Sequence, residues 1–578
     1  GYLVATEGRT IDTAAIRDQI SGALPGHMVP AVLMVLDEMP VSSTGKVNRS
    51  ALPEPGAEVP DSAVAAAASE LEVTIAGIFT EVLGVASVGA DESFFARGGD
   101  SIMSIQLASR LKTAGVVVTA RDIFEHRTVR GLAAVAGGAG RVGLEELPGG
   151  GIGEVTRTPI VSWYLDRPAD DRFAQSLLVE LPGDARPADV IATVRAVLDR
   201  HDMLRARLSA AHLEALTPGE IDAEQLVSVR TFGADNAPGT AGFTSLVEGA
   251  LEDASAALNP VDAVMMQIVC LLPEPGVASR GRALIVIHHL VVDGVSWRIL
   301  LPDFVSAWQQ VGAGRAVELP EVGTSMRRWA EVVSAAAGGR ADELALWQRM
   351  GSRPEPLLGR APLDPALDVH ATVERLTLAL PVELTTALTD AVPRAAHATT
   401  DDALLAGLVL ALGRWRPRRG VDHSGARILL ESHGREEQLA PGADLSRTVG
   451  WFTSAYPVDL DIDGTDPRAA VKAVKEQLRA VPDKGIGYGM LRYLNPATAD
   501  RLASLPAPQI SFNNLGRAGV DISALSGLAW IPADEEFDHQ GSFDPDMPAS
   551  AALTLDISIV DTPVGPTLAV QIGYAARL

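Results

Sequence analysis

Residues 283–297 read ALIVIHHLVVDGVSW. The alternation predicts a strand over 283–289, with His289 on the face of Ile285 and Ile287, and His288 on the face of Leu284 and Val286. Its apolarity makes it a core strand, and the histidine pair stands at its mouth. Val295 onward predicts a helix over 295–310. In the turn between them, Asp293 is expected to close the loop with a charge-assisted bond and Gly294 to permit the bend. A single histidine here would as readily be a satisfied core residue. The His-His-x-x-x-Asp-Gly grouping points instead to chemistry, because an imidazole with a pKa near ~6.5 works as base or acid at neutral pH.

Working outward, residues 174–181, 427–431, 508–514 and 567–574 are predicted as further strands. Residues 186–200, 341–350, 380–397, 401–414 and 467–480 are predicted as helices. The piece from 152 to 578 is therefore α/β. It is too large for one core, so two lobes are expected, about 152–345 and 346–578. Two Pro/Gly/Ala-rich stretches, Pro53–Ala68 and Ala136–Gly151, read as linkers. The piece between them is all-helical. Leu71, Ile75, Ile78, Phe79 and Val82 recur at helical spacing, Leu83-Gly84 is a stop, and a second helix starts at Ser101. Thr119 and Thr128 begin two shorter ones, which makes a four-helix bundle.

The whole sequence has 578 residues, enough for about four folding units at ~150 each. It is 47% hydrophobic and 21% charged, so each unit can bury a core. With 73 acidic against 48 basic residues the net charge is −25. That argues against a nucleic-acid partner and against attraction to an anionic membrane. No apolar run reaches the ~18–20 residues of a membrane span. Cys270 is the single cysteine, which excludes an intrachain disulfide and fits a reducing cytoplasm. The start, Gly1-Tyr2-Leu3-Val4-Ala5, has no basic signal region and no initiator Met, so the chain reads as part of a longer one. Only five of the 48 basic residues are lysine, and this Arg and Ala bias suggests a GC-rich bacterial genome.

Asp91–Leu107 reads DESFFARGGDSIMSIQL. Two glycines allow a tight turn before Asp100-Ser101, and the helix beginning at Ser101 places free N–H groups beside the hydroxyl. An anion such as a phosphodiester is favoured there, although a bare GGDS would also fit a plain N-cap. The segment resembles the peptidyl carrier proteins of non-ribosomal peptide synthetases, over roughly residues 70–136. The resemblance implies that Ser101 carries 4′-phosphopantetheine, added by a phosphopantetheinyl transferase. The Asp100 form of the motif resembles carriers that precede epimerization domains. Residues 24–53, ending in TGKVNRSALP, resemble the end of an adenylation domain's C-terminal subdomain, with Lys46 matching its adenylate-contacting lysine. Residues 1–55 are thus expected to be a short α+β remnant without adenylation activity, whose partner is an upstream adenylation core.

The histidine segment and Arg200–Arg205 (RHDMLR) resemble the condensation superfamily, which implies a two-lobed chloramphenicol-acetyltransferase-like fold. Glu431–Glu436 (ESHGRE), Arg447–Val458 (RTVGWFTSAYPV), Pro482–Gly489 (PDKGIGYG), Ser511–Arg517 (SFNNLGR) and Asp401–Gly407 (DDALLAG) are similar to motifs of its epimerization branch. The likeness spans about 152–578. It implies inversion at Cα, from L to D, of an aminoacyl or peptidyl thioester held on the carrier, with a condensation domain downstream. His289 and Glu431 are the implied catalytic pair, with His288, Asp293, Asn513, Tyr456 and Arg447 in support. Inversion needs a proton removed on one face and returned on the other, and Glu431, at the end of the apolar run RILLE, would gain basicity from burial. No residue grouping suggests a metal, and the five lysines show no pyridoxal phosphate signature. Ser432, Asn514 and Val161 depart from the usual Gly, Tyr and Gln. Asn514 is expected to alter how the thioester is oriented. A peptide-bond-forming condensation domain and a catalytically silent recruitment domain are the competing readings.

Overall fold

The computed structural model describes residues 2–4, 16, 34–36, 40, 69–85, 87–97, 99, 101–119, 122–123, 126–136, 143–167, 172–209, 212–396, 398–462, 464–518, 529–562 and 564–578. The chain forms two compact units, Gly1–Ala66 and Ala67–Leu578. In the first, β1 (Tyr2–Val4) pairs in parallel with β2 (Met34–Leu36). Lys46 and the linker at 53–68 lie outside the described residues, as does Asp100.

The second unit opens with helices whose ends are written in the sequence. α1 (Glu70–Leu83) starts at a reciprocal capping box between Ser69 and Glu72 and stops at Gly84, at φ +63°. α2 (Ser101–Thr113) follows, and Thr128 caps α3 (Val129–Val135) by accepting from Gly131 N. At the third predicted start, Thr119 and Asp122 cap one another in the same reciprocal way (2.7 and 3.2 Å). Ile75, Phe79, Phe94, Leu107 and Leu132 close the core of this bundle.

After α4 (Pro159–Leu165) comes β3 (Ala174–Leu181), then α5 (Pro187–Arg200), β4 (Val227–Phe232), α6 (Ala241–Ala256), β5 (Met266–Pro273), β6 (Gly281–His288) and α7 (Gly294–Gly312). The sheet order is β3-β6-β5-β4. Its Ile268, Ile285 and Ile287 share a core with Val194 of α5 and Phe304 of α7. Leu284 and Val286 pack on Phe243, Val247 and Leu251 of α6. Every residue of β6 is consequently buried. The strand ends one residue before the predicted 289, because His289 opens a 3-10 turn, His289–Val291.

The second sheet follows α8 (Met326–Ala336) and α9 (Leu344–Ser352). It is built from β7 (Val373–Ala379), β8 (Ala426–Ser432), β9 (Ser454–Leu460), β10 (Ile510–Ala518), β11 (Leu553–Thr562) and β12 (Gly565–Ala575), in the order β7-β12-β11-β10-β8-β9. One face buries Ala426, Ile428 and Leu430 of β8 under α10 (Thr400–Trp415) and α11 (Pro467–Arg479). Strands β4, β5, β9 and β11 and helix α6 lie outside the elements predicted above, although β11 alternates and α6 spaces Phe243, Val247, Ala250, Leu251 and Ala254 at helical intervals. β5 (MQIVCLLP), by contrast, is buried on both faces and so does not alternate.

Two expectations change. The division near 345 is not a clean cut, because Leu445, Val449, Trp451, Met490 and Trp530 join the first lobe's core. Trp530 stacks on Phe304 at 4.7 Å, and Pro532 bridges to Val179 of β3. The stretch 136–151 is also more than a linker. Leu144 N donates to Gly442 O (2.8 Å), and Glu146 accepts from Ser325 N and Oγ (2.6 and 2.7 Å).

Candidate functional site

The turn after β6 is built around Asp293. Its carboxylate caps α7 by accepting from Ser296 N and Oγ (2.8 Å each). It also takes two bonds from Arg435 (2.7 and 3.1 Å) and one from Phe452 N (3.2 Å). The expected charge-assisted bond thus runs to Arg435, four residues past Glu431, and joins the two motif loops. Arg435 lies over the Phe452 ring at 4.0 Å. Gly294 adopts no left-handed backbone, and a Cβ there would meet nothing within 4 Å, so the bend does not require glycine.

His288 and His289 have separate environments. His288 is fully buried, its Nδ1 accepts from Leu290 N (3.2 Å), and burial lowers its pKa to about 3. It is a neutral packing residue. His289 is half-buried between the Phe173 ring, stacked at 4.7 Å, and Trp451 at 4.6 Å. Its Nε2 stands 3.0 Å from the Gln175 amide nitrogen. Burial pulls its pKa below the usual imidazole value, partly opposed by Asp293. At neutral pH it holds a free base.

Glu431 is exposed to solvent, although the chain is dense around it. Burial, then the charge of Asp556, pushes its pKa up to about 7. The register explains the pairing. Leu430 of β8 pairs with Phe512 of β10, and Asn513 pairs with Asp556 of β11, so Glu431, Asn513 and Asp556 share one face. Asn513 Nδ2 donates to Asp556 Oδ1 at 3.4 Å. A cavity of about 240 Å³ adjoins this face through Leu429 and Ala455, the latter directly opposite Glu431. Trp163, Trp329 and Phe452 line its far walls.

Three residues grouped with this site by sequence lie elsewhere. Tyr456 pairs with Leu430, so its ring projects from the opposite face to Glu431, against Trp347. Burial raises its pKa. Asn514 points the same way as Tyr456 and donates to Asp401 Oδ1 (2.5 Å) at the start of α10. Its departure from Tyr therefore falls behind the sheet, away from Asn513 and Glu431. Arg447 binds both oxygens of Asp303 (2.7 and 2.5 Å), which also holds His201 Nε2 at 2.8 Å. The RHDMLR segment thus serves a buried knot. Gln175 and Asp556 escaped the sequence reading, their one signal being a polar residue within a strand, and Trp297 stood in the quoted VSW segment without a role.

Ser101 is the first residue of α2. A Cβ on Gly99 would overlap the Phe94 ring, so this position requires glycine. The N-terminus of a 13-residue helix suits an attached phosphodiester.

Residues 165–577 match the condensation domain family, and residues 73–136 match the phosphopantetheine attachment site. A linear gramicidin synthase protein of Brevibacillus parabrevis is 38% identical over 523 residues, covering 88% of this chain but only 7% of that protein. The epimerization domain from the third module of tyrocidine synthetase B superposes with a TM-score of 0.61 at 25% identity, covering 76% of this chain and 93% of that one. The first condensation domain of the CDA synthetase shares the fold, with a TM-score of 0.52 at 17% identity over 74% of this chain and 91% of that one. The chain belongs to the condensation-domain family of non-ribosomal peptide synthetases, joined to a carrier that bears covalent 4′-phosphopantetheine.

Proposed function

We propose that residues 152–578 epimerise the α-carbon of an aminoacyl or peptidyl thioester delivered by the preceding carrier. The observation that carries this reading is Glu431. Its carboxyl faces open space with a pKa pushed up to about 7, at the end of β8, and the loop that follows is tied by Arg435 to the loop of His289. Peptide-bond formation has no need of a second proton-transfer group placed this way. Inversion does.

Ser101 is the proposed attachment point, and the phosphopantetheine supplies the tethered thioester when bound. The thioester makes the Cα–H more acidic than an amide would. His289, held neutral by burial, accepts the proton on one face. Glu431, protonated for part of the time near neutral pH, returns one on the other. Asn513 orders Asp556 beside it. The apolar cavity along Leu429 and Ala455 gives room to the substrate's side chain or upstream peptide. An upstream adenylation core, a phosphopantetheinyl transferase and a downstream condensation domain complete the proposed assembly.

Deuterium uptake at Cα of the loaded thioester tests this. The wild-type chain is expected to exchange and invert. Glu431→Gln is expected to lose inversion by at least 100-fold while one enantiomer still exchanges through His289. Inversion at the wild-type rate in Glu431→Gln would remove the carboxylate from the mechanism.

A further inference from the structure

β3 grips His289 at two points. The Phe173 carbonyl, just before the strand, accepts from His289 N at 2.7 Å. Gln175, opposite Ile287 in the register, reaches the ring itself. The orientation of the Gln175 amide is settled by Trp297 in the first turn of α7, whose Nε1 donates to Gln175 Oε1 at 2.7 Å. An indole N–H can only donate, so the oxygen must be the atom at Trp297. The amide nitrogen then faces His289 Nε2 at 3.0 Å. An amide nitrogen carries hydrogens and does not accept, so Nε2 must present its lone pair. The proton of the neutral ring is left on Nδ1, which is buried.

We infer that Gln175, oriented by Trp297, is a positioning residue that fixes the tautomer of His289, with the lone pair on Nε2 and the proton on Nδ1. This rests on the reading of His289 as the proton acceptor. Nε2 is then the accepting atom, and the amide gives way to the substrate. The Cα–H bond breaks, its electron pair stays on the planar carbon conjugated with the thioester carbonyl, and the proton forms the new Nε2–H bond. The ring then carries a proton on each nitrogen and faces an amide N–H₂ that can only donate. That opposition keeps the ring a weak base and favours release of the proton. The titratable groups facing the ring are His288, which is neutral, and Asp293, already bound by Arg435. β3, the Trp451 loop and α7 present Phe173, Gln175, Trp451 and Trp297, none of which titrates.

The test uses the holo chain labelled with ¹⁵N-histidine, with the His289 signals assigned by their loss in His289→Gln. Two-bond ¹⁵N–¹H correlations at pH 7.5 are expected to show Nδ1 protonated and Nε2 bare. Gln175→Glu places a carboxylate oxygen at Nε2 and is expected to protonate it. The same variant should move the pH midpoint of Cα deuterium exchange up by at least one unit, so that exchange at pH 7 falls about tenfold and recovers at higher pH. Trp297→Phe frees the amide to turn over and should give a mixture of tautomers, as should Gln175→Ala if the glutamate variant does not fold. A wild-type signal with the proton on Nε2, or an unchanged tautomer in all three variants, overturns the inference. Exchange at the wild-type rate in His289→Gln would instead sink the assignment of the base, while the tautomer signals still decide the role of Gln175.

Discussion

Glu431 and His289 are both driven toward their neutral forms by burial, which raises the acid and lowers the base. For Glu431 this links stability to pH. Its ordinary pKa of 4.5 rises to about 7 in the fold. Below pH 4.5 the carboxyl is protonated folded or unfolded, and its contribution to stability is fully present. As the pH rises, the unfolded chain releases the proton first, so stability falls until the folded carboxyl also ionises near 7. Glu431→Gln lacks this slope. Its thermal midpoint is therefore expected to gain on the wild type between pH 5 and pH 8. An identical difference at the two pH values would mean that the folded carboxyl is not held protonated.

At the scale of elements, the seam depends on one bend after β8. Gly434 sits at φ +65°, and a Cβ there would run into the Phe452 carbonyl. The next residue, Arg435, is buried against Asp293, at 1% and 6% side-chain exposure. Gly434→Ala would have to move this bend. It combines left-handed strain of about 1–2 kcal/mol with the disruption of a buried ion pair, typically about 3–5 kcal/mol. A loss of at least about 3 kcal/mol is expected in urea denaturation. Gly413, inside α10, provides the contrast, because a Cβ there meets nothing within 4 Å. Gly413→Ala should be neutral or stabilise by up to about 1 kcal/mol. Equal effects from the two substitutions would show that the bend is not under constraint.

Across the whole molecule, the carrier rests on the large domain through Lys112 of α2, which is ion-paired with Asp444. Both side chains are about one-third exposed. Such a pair contributes only about 0.2–1 kcal/mol, and salt screens it. That suits a carrier that must dock and leave. Lys112→Glu or Asp444→Lys alone is expected to slow inversion in the intact holo chain by up to about fivefold at low salt, and the double exchange should recover most of the loss. Additive losses in the double variant would remove this pair from docking. The crossing of Trp530 onto Phe304 has the opposite character, since it is fully buried and stacked.

The sequence by itself determined what neighbouring residues control. The apolar face of α1 and its capping box, the start of α2 at Ser101, the alternation of β6 up to the histidines and the placement of Glu431 at the end of β8 were all legible, because period and capping act within one turn or one pleat. The size of the piece from 152 to 578 gave the expectation of two lobes, and the family likeness agreed with it. Only the tertiary structure decided which side chains meet. It put Tyr456 and Asn514 behind the sheet, gave Arg447 to Asp303 and Asp293 to Arg435, and brought Gln175 to His289 across 114 positions. β5, buried on both faces, also stayed hidden until its partners were known. The physical reason is register. A strand offers two faces, and which face meets the site is set by hydrogen bonds to strands far away in the chain, where a shift of one residue would exchange every side chain between core and seam.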